Sequence, residues 1–207
     1  MKKRCIIISG GQYDFDVEVK ENDYIIACDG GYKHAMQANI KPDLLIGDFD
    51  SYTGIIPVTI KTIQLPCEKN DTDTMFAIRH AINLGYKEMV LVCALGGRLD
   101  HCYANLQAGL FATNNGVKIS LHAKDTQIDW LSNGSLSLKV KTQHSLSVFS
   151  VTDACEGVSI QGTKYEVNEM TLSNGVPIGV SNEWKDEYAN ISVKKGVLMI
   201  IQSRIVE

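Results

Sequence analysis

Asp48 and Asp50 sit two apart behind the apolar run Leu44–Ile46. In an extended segment alternate side chains point the same way, so both carboxylates can face a single ion. Hard oxygen donors in that arrangement suit Mg²⁺, which keeps several waters and shares substrate phosphates. A tight turn or a solvated loop accounts for an isolated Asp-x-Asp just as simply. A second acidic run, Lys69-Asn70-Asp71-Thr72-Asp73, leads into an amphipathic stretch. There Asp71 or Thr72 could be the helix cap and Asp73 a favourable first-turn acid. If that helix begins beside the first pair, Asp73 completes a metal site and Lys69 reaches a phosphate. A third run, Gly96-Gly97-Arg98-Leu99-Asp100-His101, opens another helix. Arg98 offers a planar donor fork suited to phosphate oxygens. Asp100 lies in the first turn, where an acid also stabilises the helix with no other role. His101 and Asn105 are four apart and share a helix face.

With Asp29, these runs bring Asp48, Asp50, Asp71, Asp73 and Asp100 toward one cleft, against Lys69 and Arg98 as the cations. So many carboxylates repel one another, and any phosphate, unless divalent cations join them. Acid clusters, glycine turns and few basic residues together point to metal-bridged phosphates. No P-loop, dinucleotide fingerprint, protein-kinase motif set or Gly-x-Ser-x-Gly elbow occurs.

The elements that must position these residues alternate. Arg4–Ile8, Tyr24–Cys28, Leu44–Ile46, Met89–Leu95 and Val117–His122 are apolar, strand-like runs. Tyr32–Ala38, Thr72–Leu84 and Leu99–Ala112 carry helical signals between them; Met75, Ile78, Ala81 and Ile82 give the middle one its three-and-four spacing. Continuous apolar strands alternating with helices predict a mainly parallel, Rossmann-like sheet covered on both faces. In such a sheet, ligands bind beyond the carboxyl ends of the strands. The turns Gly10-Gly11, Asp29-Gly30-Gly31, Gly47–Ser51 and Gly96-Gly97-Arg98 fall there. Glycines let backbone amides approach an anion closely, although each pair taken alone is also an ordinary turn. From about Thr126 the segments become short and alternating with no helical period, which predicts an all-β sandwich or barrel. The expected division is an α/β catalytic domain over 1–125 and a β domain over 126–207.

The chain has 207 residues, 44% of them hydrophobic, and a net charge of −4 without a basic block. That is an ordinary globular composition with no footprint for nucleic acid or an anionic membrane. Its apolar runs are too short to span a bilayer, and Ser9-Gly10-Gly11 interrupts the first of them, so a cytoplasmic protein is expected. Six cysteines show no ligand spacing and are expected as reduced thiols, with Cys5, Cys28 and Cys93 in apolar strands.

The set of motifs resembles the thiamine pyrophosphokinase family. The match is carried by Cys28-Asp29-Gly30-Gly31, by Pro42-Asp43 through Gly47-Asp48-Phe49-Asp50-Ser51, by Lys69–Asp73, by Gly96–His101 with Asn105, and by Ser181-Asn182-Glu183-Trp184. They occur in the family's order across nearly the whole chain. The resemblance implies an ATP- and Mg²⁺-dependent diphosphate transfer to the hydroxyl of thiamine, with AMP released, by a homodimer whose clefts lie between subunits. It implies Asp48, Asp50, Asp71 and Asp73 as metal-binding acids and Lys69 and Arg98 as phosphate contacts. Asp73 and Asp100 are placed with those cations in the catalytic set, and Asp29, Gly30, Gly31, Gly96, Gly97, His101 and Asn105 around the nucleotide. Ser181, Asn182 and Trp184 would form the thiamine pocket, where Trp184 could stack on the substrate cation; a buried core tryptophan is the plain alternative. The rival readings are a diphosphokinase acting on a hydroxymethylpterin and a non-catalytic nucleotide or thiamine sensor.

Overall fold

The computed structural model describes residues 4–49, 57–66, 68 and 70–205. Asp50, Ser51 and Lys69 of the expected site lie outside them. The chain divides into two compact units, Met1–Lys124 and Asp125–Glu207.

The first unit is built on strands β1 (Cys5–Ile8), β2 (Tyr24–Cys28), β3 (Leu44–Gly47), β4 (Lys61–Gln64), β5 (Glu88–Val92) and β6 (Lys118–Ala123). All pair in parallel, in the order β6-β5-β1-β2-β3-β4. Helix α1 (Gly31–Gln37) follows β2, α2 (Asp73–Asn83) follows β4 and α3 (Leu99–Asn114) follows β5. Every residue of β1 is buried, as expected for a strand covered on both faces. Ile6 and Ile8 share one core cluster with Ala27, Leu45, Val90 and, from α1, Tyr32 and Ala35. The sheet runs outward from β1 through β4 and then returns to place β5 on the other side of β1. That reversal is a topological switch point, where diverging connections leave a crevice.

Two elements depart from the sequence reading. Strand β4 was not expected, because Lys-Thr-Ile-Gln is mostly exposed at the sheet's edge and carries no continuous apolar signal. Strand β5 stops at Val92 rather than Leu95, because Cys93 takes φ +53° and turns the chain out of the sheet.

The second unit is all-β and antiparallel: β7 (Thr126–Lys139), β8 (His144–Ser150), β9 (Ala154–Gln161), β10 (Val167–Ser173) and β11 (Tyr188–Arg204). The 17-residue β11 is its spine; it pairs with β7 along its length, with β9 over its first half and with β8 over its second. The sequence predicts only short segments in this half of the chain. A register shift between Val193 and Val197, with Gly196 at φ +105°, separates the two halves of β11 without ending the strand. Leu146, Val148, Val158, Ile160, Leu172, Ile191, Leu198 and Ile200 fill the core.

Cys5, Cys28, Cys93 and Cys155 are buried free thiols. Burial pushes the Cys5 and Cys28 thiols well above their ordinary value, so both are inert hydrophobes. Among the described residues no helix is long and apolar enough to cross a membrane.

Candidate active site

The carboxyl ends of β1, β2 and β5 open into a cleft of about 640 Å³. Ser9, Gly10, Gly11 and Gln12 line it after β1, Cys28, Asp29 and Gly30 after β2, and Ala94, Gly96 and Gly97 after β5. Thr72, Asp73 and Thr74 enter from the start of α2, and Arg98, His101 and Asn105 from the start of α3.

Hydrogen bonds between the turns fix this floor. The amides of Ser9, Gly11 and Gln12 donate to Val92, Cys93 and Leu95, all at 2.9–3.0 Å. His34 of α1 donates from Nε2 to the carbonyl of Gly11 at 2.8 Å. Asn105 Nδ2 donates to the Ala94 carbonyl at 2.7 Å, tying α3 to the turn it follows. Gly31 starts α1 so close to β1 that a Cβ there would lie 2.1 Å from the Ile8 carbonyl oxygen; any side chain would force the turns apart. Gly96 and Gly97 both hold positive φ, at +79° and +73°. Three of the non-glycine residues in the left-handed region follow strands of this sheet: Asp29 (φ +39°) after β2, Phe49 (+57°) after β3 and Cys93 (+53°) after β5. Such backbone strain concentrates where geometry serves binding or catalysis.

The structure gathers Asp29, Gly30, Asp73, Gly96, Gly97, Arg98, His101 and Asn105 around this cleft. Asp73 is the first residue of α2, whose cap is Thr72: its Oγ1 accepts from the Met75 amide at 3.1 Å. The Asp73 carbonyl lies 3.6 Å from the Cys28 thiol, and the Asp73 charge adds to the burial that raises that thiol. The β3 end runs beside Asp29: the Asp29 amide donates to Ile46, and a Cβ on Gly47 would sit 3.0 Å from the Asp29 side chain. Asp48 follows directly on β3 but does not line the cleft. Gly31 lies beneath the floor, buried against β1.

Other expected residues have different surroundings. Asp71 is engaged by Arg79 Nε at 3.0 Å. Asp100 is exposed and forms a forked pair with Arg98, at 3.1 and 2.5 Å, while accepting from the His101 amide. The Arg98 hydrogen bonds hold the Asp100 carboxyl below the usual carboxylate range and raise Arg98 in return. In the second unit, Asn182 is buried and wholly engaged internally. Its amide nitrogen donates to Thr163 Oγ1 and the Tyr165 carbonyl, and its amide oxygen accepts from the Tyr165 and Glu183 amides. Asn182 therefore shapes the 181–184 segment and has no donor left for a ligand. Trp184 is half-buried against the core, with Nε1 donating to the His144 carbonyl at 2.8 Å. Ser181 is exposed at φ +57°, and its amide donates to Ser147 Oγ.

Ser9, Gln12 and Thr74 are cleft residues that the sequence reading did not single out. Only adjacency marks them: Ser9 and Gln12 flank the first glycine turn, and Thr74 follows Asp73.

A family model described as "Thiamin pyrophosphokinase, catalytic domain" matches residues 15–121, and a second, "Thiamin pyrophosphokinase, vitamin B1 binding domain", matches residues 135–198. The chain belongs to the thiamine pyrophosphokinase family. Among thiamine pyrophosphokinases, that of Bacillus subtilis (strain 168) is 26% identical over 211 residues, spanning 97% of this chain and 99% of its own. The crystal structure of a Bacillus subtilis thiamine pyrophosphokinase superposes with a TM-score of 0.89, covering 99% of this chain and all of that one, at 24% identity; it shows the shared fold. A thiamin pyrophosphokinase family protein from Enterococcus faecalis gives a TM-score of 0.83 at 27% identity, with 99% and 100% covered.

Proposed function

We propose that this member of the thiamine pyrophosphokinase family transfers a diphosphate from ATP to the hydroxyl of thiamine, releasing AMP, as a Mg²⁺-dependent cytoplasmic homodimer with its sites shared between subunits. The observation that carries the reading is the cleft at the switch point. Glycine turns, two carboxylates and an arginine converge there on a chain that matches both of the family's models. The hydroxyl oxygen of thiamine forms a bond to the β-phosphorus, the bond from that phosphorus to the α,β-bridging oxygen breaks, AMP leaves, and the hydroxyl proton is released.

The donor set fits the ion. Mg²⁺ takes one or two carboxylates and completes its shell with phosphates and water. Asp29 and Asp73, two carboxylates, line the cleft. We assign Asp73, which lines the cleft, as an acid that would hold the ion, joined by Asp48 and Asp50, which follow β3 in sequence where its end runs beside Asp29; when bound, the ion would neutralise the phosphates' charge. The turns at Gly10, Gly30 and Gly96-Gly97 bring backbone close to the tail, and the N-terminal end of α2 adds favourable field. Arg98 reaches the phosphates by exchanging its exposed Asp100 partner for them, a small loss because exposed ion pairs contribute little. Lys69 is assigned to the same tail. Trp184 is assigned to stack on thiamine, with Asn182 holding its segment.

The deciding experiment is AMP release with ATP and Mg²⁺ when thiamine, thiamine monophosphate and a hydroxymethylpterin are offered separately. Thiamine alone is expected to support turnover. AMP formed with the pterin and not with thiamine would overturn the assignment, and nucleotide binding without any turnover would make the protein a sensor.

A further inference from the structure

We propose that Ser9 and Thr74 form a hydroxyl relay in the cleft floor that donates one hydrogen bond to a phosphate oxygen of the bound nucleotide. Ser9 directly follows β1, and its amide still pairs with Val92 of β5. Thr74 is the second residue of α2. Their side-chain oxygens lie 2.9 Å apart, and the two residues are only 1% and 6% exposed. Both line the cleft.

The count of hydrogens carries the step to a ligand. Two hydroxyls bring two donors, and their mutual bond uses one. Among the described residues neither oxygen makes another hydrogen bond. Thr74 cannot turn back onto its own helix as Thr113 does onto Gly109, because the residue four positions before it precedes α2. A buried O–H left without an acceptor is costly, so such groups find a partner. The cleft is the open side, and an anionic oxygen there is the acceptor that benefits most from a donor already polarised by a second hydroxyl. A neutral relay also suits the place. It sits beside Asp73, where it grips a phosphate without competing with the metal for the acids.

The inference rests on the reading of the cleft as the nucleotide site, and one set of variants separates the two. Steady-state kinetics and thermal melting are measured for Ser9→Ala, Thr74→Val, the double variant, Thr74→Ser and, as a check on the site itself, Asp73→Asn. The residue facing the phosphate is expected to raise the KM for ATP about tenfold when replaced, the effect of one hydrogen bond to a charged group. The double variant is expected to be no worse than the more affected single one, because both changes interrupt one relay. Thr74→Ser should restore the parent KM, and in the Ser9 and Thr74 variants kcat, the KM for thiamine and the half-saturating Mg²⁺ concentration should stay within about twofold. A contact that only pinned α2 to β1 would instead displace Asp73 and move kcat and the Mg²⁺ requirement. Ser9→Ala removes a single oxygen and carries the test should Thr74→Val fail to melt cooperatively. ATP affinity unchanged in the folded double variant, or single effects that multiply, would overturn the relay while loss of activity in Asp73→Asn leaves the site standing. An active Asp73→Asn enzyme would overturn the site reading instead.

Discussion

Asp73 occupies a position with two plain explanations, a helix-stabilising acid and a ligand of the catalytic ion, and the two separate on substitution. As a first-turn acid it contributes about 0.3–1 kcal/mol through the helix dipole. Asp73→Asn should therefore shift Tm by no more than about 4 °C in a chain of this size. As a metal ligand it supports stabilisation worth several kcal/mol, so kcat should fall by about a hundredfold or more. Purified variant and parent, compared by AMP release and by melting, give both numbers; near-parent turnover removes Asp73 from the site. Which acids converge was only partly legible from type and spacing. Asp29 and Asp73 emerge in the cleft because each immediately follows a strand end or begins a helix that faces it. Asp71 and Asp100 have the same side chain at neighbouring positions, yet each meets an arginine, Arg79 and Arg98. A partner eight residues away, or a forked pair closing over two, is set by rotamers that sequence spacing does not specify. Asn182 teaches the same lesson: its place in the motif was plain, but its four internal hydrogen bonds required coordinates.

At the scale of elements, those with strong periodicity or continuous apolar runs were legible within a residue or two, except β5, which ends three residues short of its apolar run where Cys93 turns the chain. Helix α2 is bounded by its Thr72 cap and Gly85, and β2 occupies its expected span. Edge strand β4 and the bulged β11 were not, because one lacks a buried face and the other is crossed by Lys194-Lys195-Gly196. Helix α2 also carries a pH response. His80 in its last turn is half-buried, with Nε2 finding no partner among the described residues. Burial lowers its pKa below the ordinary 6.5, and the charge of Lys61 on β4 lowers it further. The unfolded chain thus binds the proton more readily than the folded one. The contribution to stability is complete above pH 6.5 and is lost as pH falls below it, through the folded value. Melting curves from pH 7.5 to pH 5 should show the parent losing stability more steeply than His80→Gln. Parallel slopes for the two proteins would show that His80 is not the responsible group.

On the scale of the whole molecule, the chain divides its chemistry. The acids and glycine turns belong to residues 1–124, and Trp184 belongs to residues 125–207. If active sites are shared between the two copies of a homodimer, a lesion in each unit can be carried by different chains. Asp73→Asn and Trp184→Ala are co-expressed with different tags, and assays use thiamine well below the parent KM, where each rate follows kcat/KM. On the proposed stacking, a loss of roughly 2 kcal/mol lowers a Trp184→Ala site about thirtyfold, a background measured on the Trp184→Ala dimer alone and subtracted. Random pairing makes about half of the dimers mixed, and in each mixed dimer one site holds both lesions and the other neither. Activity should therefore return to about a quarter of the parent's, since half of the sites in half of the dimers are intact. The tags allow the mixed dimer to be isolated, and its activity should then approach half. A mixed dimer as inactive as its parents would mean that cleft and aromatic pocket are supplied by one chain. In that case the proposed sharing of sites between subunits fails, while membership in the family and the chemistry of the cleft stand.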